Sequence, residues 1–430
     1  MQEQETKTTP LHEWHIRSNA SLAVFGGYEM PLWYASTKEE HLAVLLRAGL
    51  FDTSHMALIQ IDGQDSRALL QYSFSRNLEK CLGSGKTPLR SGRSVYGVFL
   101  NQEGHVVDDA VLSQVSPTHY LAVVNAGMGP PITQHLQNHA ADFSANITDR
   151  TDGVGKMDLQ GPQSALILSR VLADPANVLV DLPYFSFKGD FPLENDARDT
   201  VRLRDGTPLL LSRSGYTGEF GFELFVPPHR TEDVWNQLLE AGRDHGLAPC
   251  GLAARDSLRA GAVLPLSHQD IGDWPFLNTP WDFALPWDET GGGFNKPFVG
   301  AEALSRLHSA PVTLPFVGRD PRKVQTDEST RVADESGEEL GSVLTCTTDM
   351  GIGWRGDSIF SVASPNKPDD FKPKGLCCGF VRVKRPIPAN QALLLKDARR
   401  SIRVYSTHTI RPDRTARKPL REMLGNGRLD

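Results

Sequence analysis

Hydrophobic positions recur at two spacings along this chain, and the balance between them changes near the last quarter. Ser36 and Glu39 form the two halves of a capping box, and the helical run EEHLAVLLRA follows them with Gly49 as its stop. An alternating run, ALIQIDG, comes next, and Asp65 then caps a second helical run, SRALLQYSF. Three strand-like runs follow, SVYGVFL, HVVDDAVLSQV and YLAVVN, separated by turn-forming residues at 101–104 and 116–119. PITQHLQNHA returns to helical spacing. A second cycle opens with VRLRDGTPLLLSRS, which carries the hairpin dipeptide Asp205 and Gly206, and continues with the strand FELFV. Thr231, with Glu232 and Asp233 in the first turn, opens the helix VWNQLLEA, which Gly242 ends. Hairpins mixed with helices fit an α+β fold better than a strict βαβ series. After about residue 310 only short strands broken by turns remain, which predicts a C-terminal all-β barrel or sandwich. KPDDFKPK reads as a surface loop there, and the closing RPDRTARKPLREMLGNGRLD as an extended or frayed tail.

Composition narrows the class. The 430 residues suffice for two or three domains with real cores. Hydrophobic residues at 39% and charged residues at 23% are those of an ordinary globular protein, and a formal charge of -7 argues against a surface built for nucleic acid. The polar N-terminus, MQEQETKTTPLHEW, has no apolar signal core, and no run approaches the ~18 apolar residues of a membrane span. The five cysteines, Cys81, Cys250, Cys346, Cys377 and Cys378, show neither CxxC nor zinc spacing, so reduced thiols in a cytoplasmic protein are expected. His55 and His268 stand alone, and no metal is expected.

Four features carry candidate chemistry. Asp108 and Asp109 interrupt HVVDDAVL, where aspartate is disfavoured. Alternation puts Val107, Asp109 and Val111 on one face and Val106, Asp108 and Ala110 on the other, so at least one carboxylate should be partly buried and its pKa raised; a strand edge open to water is the alternative. In RSGYTGEFGFELFVP, Glu223 shares a face with Gly221 and Phe225. Either it lies on an exposed hairpin face, or it grips paired N–H donors of a ligand, with glycines every third residue leaving room for a flat ring. Arg255 and Arg259, one turn apart beside Asp256, read as a surface ion-pair ladder or as a guanidinium offered to an anion. Trp274, Trp281 and Trp287 each adjoin a proline, in a rigidly packed loop or a pocket wall.

Taken in order, FGGYEMPLWY, GLFDTSHM, NQEGHVVDD, VVNAG, GYTGEFGFEL, GLAARDSLR and KPFVGAEAL resemble the T-protein family, the tetrahydrofolate-dependent aminomethyltransferases of the glycine cleavage system. The resemblance implies a three-lobed ring: two α+β lobes over 1–305, a barrel over 306–420 and a tail over 421–430, with folate in a central channel. It makes Asp109 the catalytic aspartate and Glu223 the carboxylate that grips the pterin. It also places Met56, Tyr96, Asn125, Tyr216, Arg255 and Trp287 around the folate. The implied partner is a lipoylated H-protein, which delivers an aminomethyl group to tetrahydrofolate with release of ammonia.

The chain departs from the family where Leu-Pro-Leu-Tyr-Gly is common: it reads Leu264-Pro-Leu-Ser267-His268. The following loop, GDWPFLNTPWDFALPWDETGGGFNKP, is Trp-rich and lacks a basic cluster. That departure leaves a second reading, a tetrahydrofolate-dependent demethylase of a small amine, thioether or aryl ether. A folate-binding iron–sulfur assembly role ranks last, because NKPFVGAEAL has no cysteine.

Overall fold

The hydroxyl of Ser36 accepts the amide of Glu39 at 3.2 Å, and that cap starts the helix Thr37–Leu46 as its sequence predicts. A computed structural model describes residues 6–193, 201–307 and 309–424 of the chain. Gly49 is not the stop of this helix. It lies inside the next strand, Ala48–Asp52, where an added Cβ would fall 2.5 Å from Val44 and 2.7 Å from the Cys250 sulfur. Glycine is needed there for close packing of the strand on the helix, and the helix ends before it at Leu46. Two other caps also differ. Asp65 precedes the helix Ser66–Ser73 but spends its carboxylate on the amide of Ser144. Gly242 is still helical in Thr231–Gly242, and the left-handed residue is Gly246, after a short 3-10 turn.

Two large sheets and the small hairpin Ser21–Phe25 with Tyr28–Trp33 lie within the first three hundred residues. The five-stranded sheet runs Arg93–Leu100, Val106–Ser116, His119–Val124, Ala57–Asp62 and Asn146–Asp149 in spatial order. The second is built from Phe187–Lys188, Pro208–Ser212, Gly221–Val226, Gly155–Gln160, Ala48–Asp52 and Leu247–Cys250, with Val201–Arg202 on its edge. Ala48–Asp52 therefore lies between strands made from residues more than a hundred positions later, and residues 53–56 carry the chain across to the first sheet.

Each sheet is covered by helices on one side. Leu69 and Leu70 of Ser66–Ser73 and Ile132 and Leu136 of Gly129–Asn138 are buried; Leu70, Ile132 and Leu136 pack with Ile59, Leu112 and Ala122 of the first sheet. Ile167, Leu168, Trp235 and Leu238, from Ser164–Val171 and Thr231–Gly242, pack with Leu159, Leu211 and Leu224 of the second. The opposite faces meet one another through Leu58 and Leu121 against Leu210 and Phe225. The order is thus helix, sheet, sheet, helix, with a strand-lined interface in the middle.

The expected C-terminal β domain is a closed six-stranded barrel, Val312–Gly318, Leu376–Val383, Glu339–Asp349, Arg331–Ala333, Ala392–Lys396 and Ser401–Ser406. Its interior is filled by Phe316, Val381, Leu393, Leu395 and Val404. The chain beyond it does not fray at once. Ile410 and Arg411 are fully buried, and a short helix, Leu420–Leu424, rests against the core of the second sheet. The physical reason is charge. Arg411 donates to Glu219 at 3.1 Å and to Asp349 at 2.6 Å, and Asp349 also meets His41, which bonds Ser257 at 2.7 Å. Residues 425–430 of the expected tail lie outside the described residues.

Burial would raise the Asp349 carboxyl, but Arg411 and His41 outweigh it and hold it below the usual carboxylate range. Replacing Arg411 with Met strands two buried carboxylates and should cost about 3–5 kcal/mol in urea denaturation at neutral pH. The deficit should shrink as pH falls through the carboxylate range and the stranded groups take up protons.

Candidate functional site

Along Val106–Ser116 buried and half-buried residues alternate, and Asp108 is fully buried while Asp109 is on the face with Val111 and Ser113. A bulge at this end of the pairing (Phe99 opposite Asp108, then Leu100 opposite Val106) twists the strand and brings both carboxylates within reach of one side chain. That side chain is Asn125, just past the neighbouring strand His119–Val124. Its amide nitrogen donates to Asp108 at 2.7 Å and to Asp109 at 2.6 Å, and its backbone N–H donates to the other oxygen of Asp108 at 2.8 Å. Tyr96, which faces Val111 across the pair, donates its hydroxyl to the second oxygen of Asp109 at 2.9 Å. Among the described residues no lysine or arginine pairs with either acid. Burial raises the carboxyl of both, and the charge of Asp108 raises Asp109 further, so the pair holds a proton well above the ordinary aspartate range.

Ser267 and His268 close on the same pair. The imidazole Nε2 of His268 lies 3.6 Å from Asp108 and the ring is half exposed. His268 has φ 62, a left-handed conformation that costs a non-glycine residue on the order of 1 kcal/mol. The Ser267 hydroxyl is buried and close enough to lower the Asp108 carboxyl, yet outside hydrogen-bonding geometry with any protein group.

The opposite wall of the inter-sheet cleft carries Glu223. Val111 and Ser113 face Ser212, Ser214 and Glu223 across this narrow space, and Leu121 and Phe225 are among its apolar lining. Since Asp109 shares the strand face of Val111, it lies on the side of the strand that Glu223 faces, while Asp108 is on the other. Glu223 is not on an exposed hairpin face. One of its oxygens takes the Lys156 ammonium at 2.8 Å, and the other has no partner among the described residues. Lys156 is itself buried, bonding Asp158 at 2.7 Å and Thr53 at 3.2 Å, and Asp158 binds Arg255 at 2.7 Å. Burial works against this array, but two cations against two carboxylates outweigh it: Lys156 is held above and Asp158 below the usual values.

Arg255 therefore belongs to an internal ion network and not to a surface ladder, and its guanidinium lies 5.0 Å from the Tyr216 ring. Arg259 is buried too, held by Asp256, Asp270 and Thr345. Tyr216 donates its hydroxyl to the carbonyl of Pro265. The glycines of the same stretch have another role than the one expected. A Cβ on Gly215 would fall 2.0 Å from the Gln160 side chain, and one on Gly221 2.6 Å from it, so protein fills the space they leave.

Met56 is half-buried in the turn between the sheets. Trp287 donates to the carbonyl of Asp282 at 2.9 Å and packs 4.9 Å from Phe294. Neither hydrogen-bonds to the acid pair. Trp281 is core, bonded to the Val263 carbonyl, and Trp274 lies under Arg382 at 4.6 Å, so the Trp-rich loop is mainly packing. His55 is buried edge-on to Phe25, and burial takes it down to about 4, so it is neutral. Lys156 and Asp158 escaped sequence reasoning. Two opposite charges two residues apart in the buried strand GKMDLQ were the available signal.

The site thus sets a partly protonated acid pair on one strand beside a narrow cleft whose far wall carries a half-satisfied carboxylate. The chain belongs to the glycine cleavage T-protein family: the family model described as the GCVT N-terminal domain matches residues 11–287. It is 36% identical to an aminomethyltransferase of Staphylococcus haemolyticus, over 81% of this chain and 93% of that one. It is 34% identical to an aminomethyltransferase of Desulfitobacterium hafniense, over 79% and 86%. The crystal structure of glycine cleavage system aminomethyltransferase T from Bartonella henselae superposes with a TM-score of 0.72 at 25% identity, covering 94% of this chain and 97% of that one. Among the described residues no helix is long and apolar enough to cross a membrane.

The acid pair makes a direct prediction. Asp108→Asn removes the charge that raises Asp109 while keeping an acceptor for Asn125. In a carbon NMR titration of the labelled carboxyl, Asp109 should then titrate at lower pH than in the wild type, and an unchanged midpoint would refute the coupling.

Proposed function

We propose that this protein transfers the one-carbon unit of an aminomethyl group, carried on the lipoyl arm of an H-protein, to tetrahydrofolate, releasing ammonia. The observation that carries the reading is Asp109, clamped between Tyr96 and Asn125 in the cleft that Glu223 faces. The residues present fit tetrahydrofolate as co-substrate. The free oxygen of Glu223 accepts an N–H from the pterin edge, Lys156 orients that carboxylate from 2.8 Å, and apolar side chains of both sheets flank the ring.

In this reading Asp109 exchanges protons. It takes a proton from the folate nitrogen as that nitrogen bonds to carbon, and returns one to the nitrogen that leaves as ammonia. Of the two N–H protons folate loses, the second ends on the lipoyl sulfur. A carboxyl that titrates above the ordinary range suits both directions of transfer. Asn125 and Tyr96 keep the group in place, and the cleft supplies proximity. No covalent enzyme nucleophile is required.

Ser267 and His268 support a second reading, demethylation of a small methylated amine, thioether or aryl ether. An unpartnered hydroxyl and an imidazole on a strained backbone both stand beside Asp108, where a compact donor would meet the acid pair.

Folate-dependent ammonia release from aminomethylated H-protein decides between them. Release supports the first reading. Its absence, together with methyl-folate formation from a small methylated donor, supports the second. In whichever reaction proceeds, Asp109→Asn should keep tetrahydrofolate affinity by calorimetry and lose roughly 10²–10⁴-fold in turnover. Full turnover in that variant would remove Asp109 from the mechanism.

A further inference from the structure

Most deeply placed cations of this protein are matched. Arg411, Arg259, Arg255 and Lys156 each meet at least one carboxylate, while Arg213 and Lys296 bind two or more backbone carbonyls. Arg76 differs. It follows the helix Ser66–Ser73, forms no ion pair among the described residues, and donates through one Nη to a single acceptor, the carbonyl of Phe283. Its Nε is buried with no partner at all. Burial pulls the guanidinium below its usual value, and no carboxylate offsets that. A buried guanidinium N–H left without an acceptor is costly to keep.

Its surroundings lead to the cleft. The Arg76 guanidinium lies 5.8 Å from the centre of the Phe283 ring, a ring 53% exposed despite its size. Phe283 in turn lies 6.0 Å from the ring of Tyr96, whose hydroxyl holds Asp109. Ser75 fixes the arrangement by donating to the carbonyl of Ala284 at 2.9 Å. One exposed apolar ring, one unspent cation and the reacting carboxylate thus stand in a row.

We propose that Arg76 and Phe283 form a carboxylate subsite at the rim of the cleft, taking a ligand whose apolar part rests on Phe283 and whose carboxylate pairs with Arg76. The proposal rests on the reading that Asp109 is the reacting group. Two sources of that carboxylate share the chemistry: the glutamyl tail of tetrahydrofolate, or an acid group on the one-carbon donor.

Calorimetry on the full chain separates them, using wild type, Arg76→Met and Arg76→Lys. The probes are tetrahydrofolate against 6-methyltetrahydropterin, which lacks the tail, and 3-methoxybenzoate against methoxybenzene. Arg76→Met should weaken a carboxylate-bearing probe roughly 10- to 100-fold and leave its uncharged counterpart unchanged. Loss confined to tetrahydrofolate assigns the site to the folate tail, and loss confined to methoxybenzoate assigns it to the donor. Arg76→Lys, which keeps the charge, should recover part of the loss, as a folding defect would not. Equal binding of every carboxylate probe by wild type and Arg76→Met, or no binding of any of them by the wild type, overturns the proposal. Failure of wild type to bind tetrahydrofolate while the methoxybenzoate effect persists would instead count against the folate reading alone.

Discussion

One buried cation organises the assembly. Arg411 brings together the loop carrying Glu219, the end of a barrel strand at Asp349 and, through Asp349, the helices that present His41 and Ser257. These are pieces of both parts of the molecule, and a charge without water must have them all in place at once. The consequence for the site is positional. Glu219 lies between Tyr216 and Glu223 on one short stretch, so the interaction that docks the barrel also fixes the strand that faces the cleft.

Two polar arrays within that cleft follow opposite rules. Around Lys156 acidic and basic side chains alternate, which makes Glu223 a fixed acceptor with one oxygen to spare. Around Asp108 two like charges share an asparagine and receive no lysine or arginine among the described residues, which leaves a proton in place. One wall is suited to holding and the other to exchanging protons. The strained His268 and unpartnered Ser267 are on the exchanging side, where a cost in stability is tolerable if it is recovered in function.

Much of this was readable from residue types. Aspartates inside an apolar strand announced the acid pair, because strand alternation forces at least one of them inward. The motifs in family order announced the α+β fold with its closing barrel. The failures share a cause, which is that they concern what a residue meets from far along the chain. Gly49 reads as a helix stop because its contact with Cys250 is not local. The glycines around Tyr216 read as space for a ligand because Gln160 fills it from another strand. Arg411 reads as part of a frayed tail because both its carboxylates are more than sixty residues away. Lys156 and Asp158 pass for surface charges until the sheet stacks over them.

The strand Ala48–Asp52 has a consequence for how the molecule is made. It is flanked on one side by Gly155–Gln160 and on the other by Leu247–Cys250, so an early segment waits for two much later ones before its hydrogen bonds close. Pairing across such separations is slow, because loop-closure entropy is lost before contacts repay it. The second sheet consequently closes only when both later segments are present, and a chain emerging from the ribosome keeps one edge of Ala48–Asp52 unpaired until residue 250 has been synthesised. That open edge is the template for aggregation that a nascent chain carries through the first half of its synthesis.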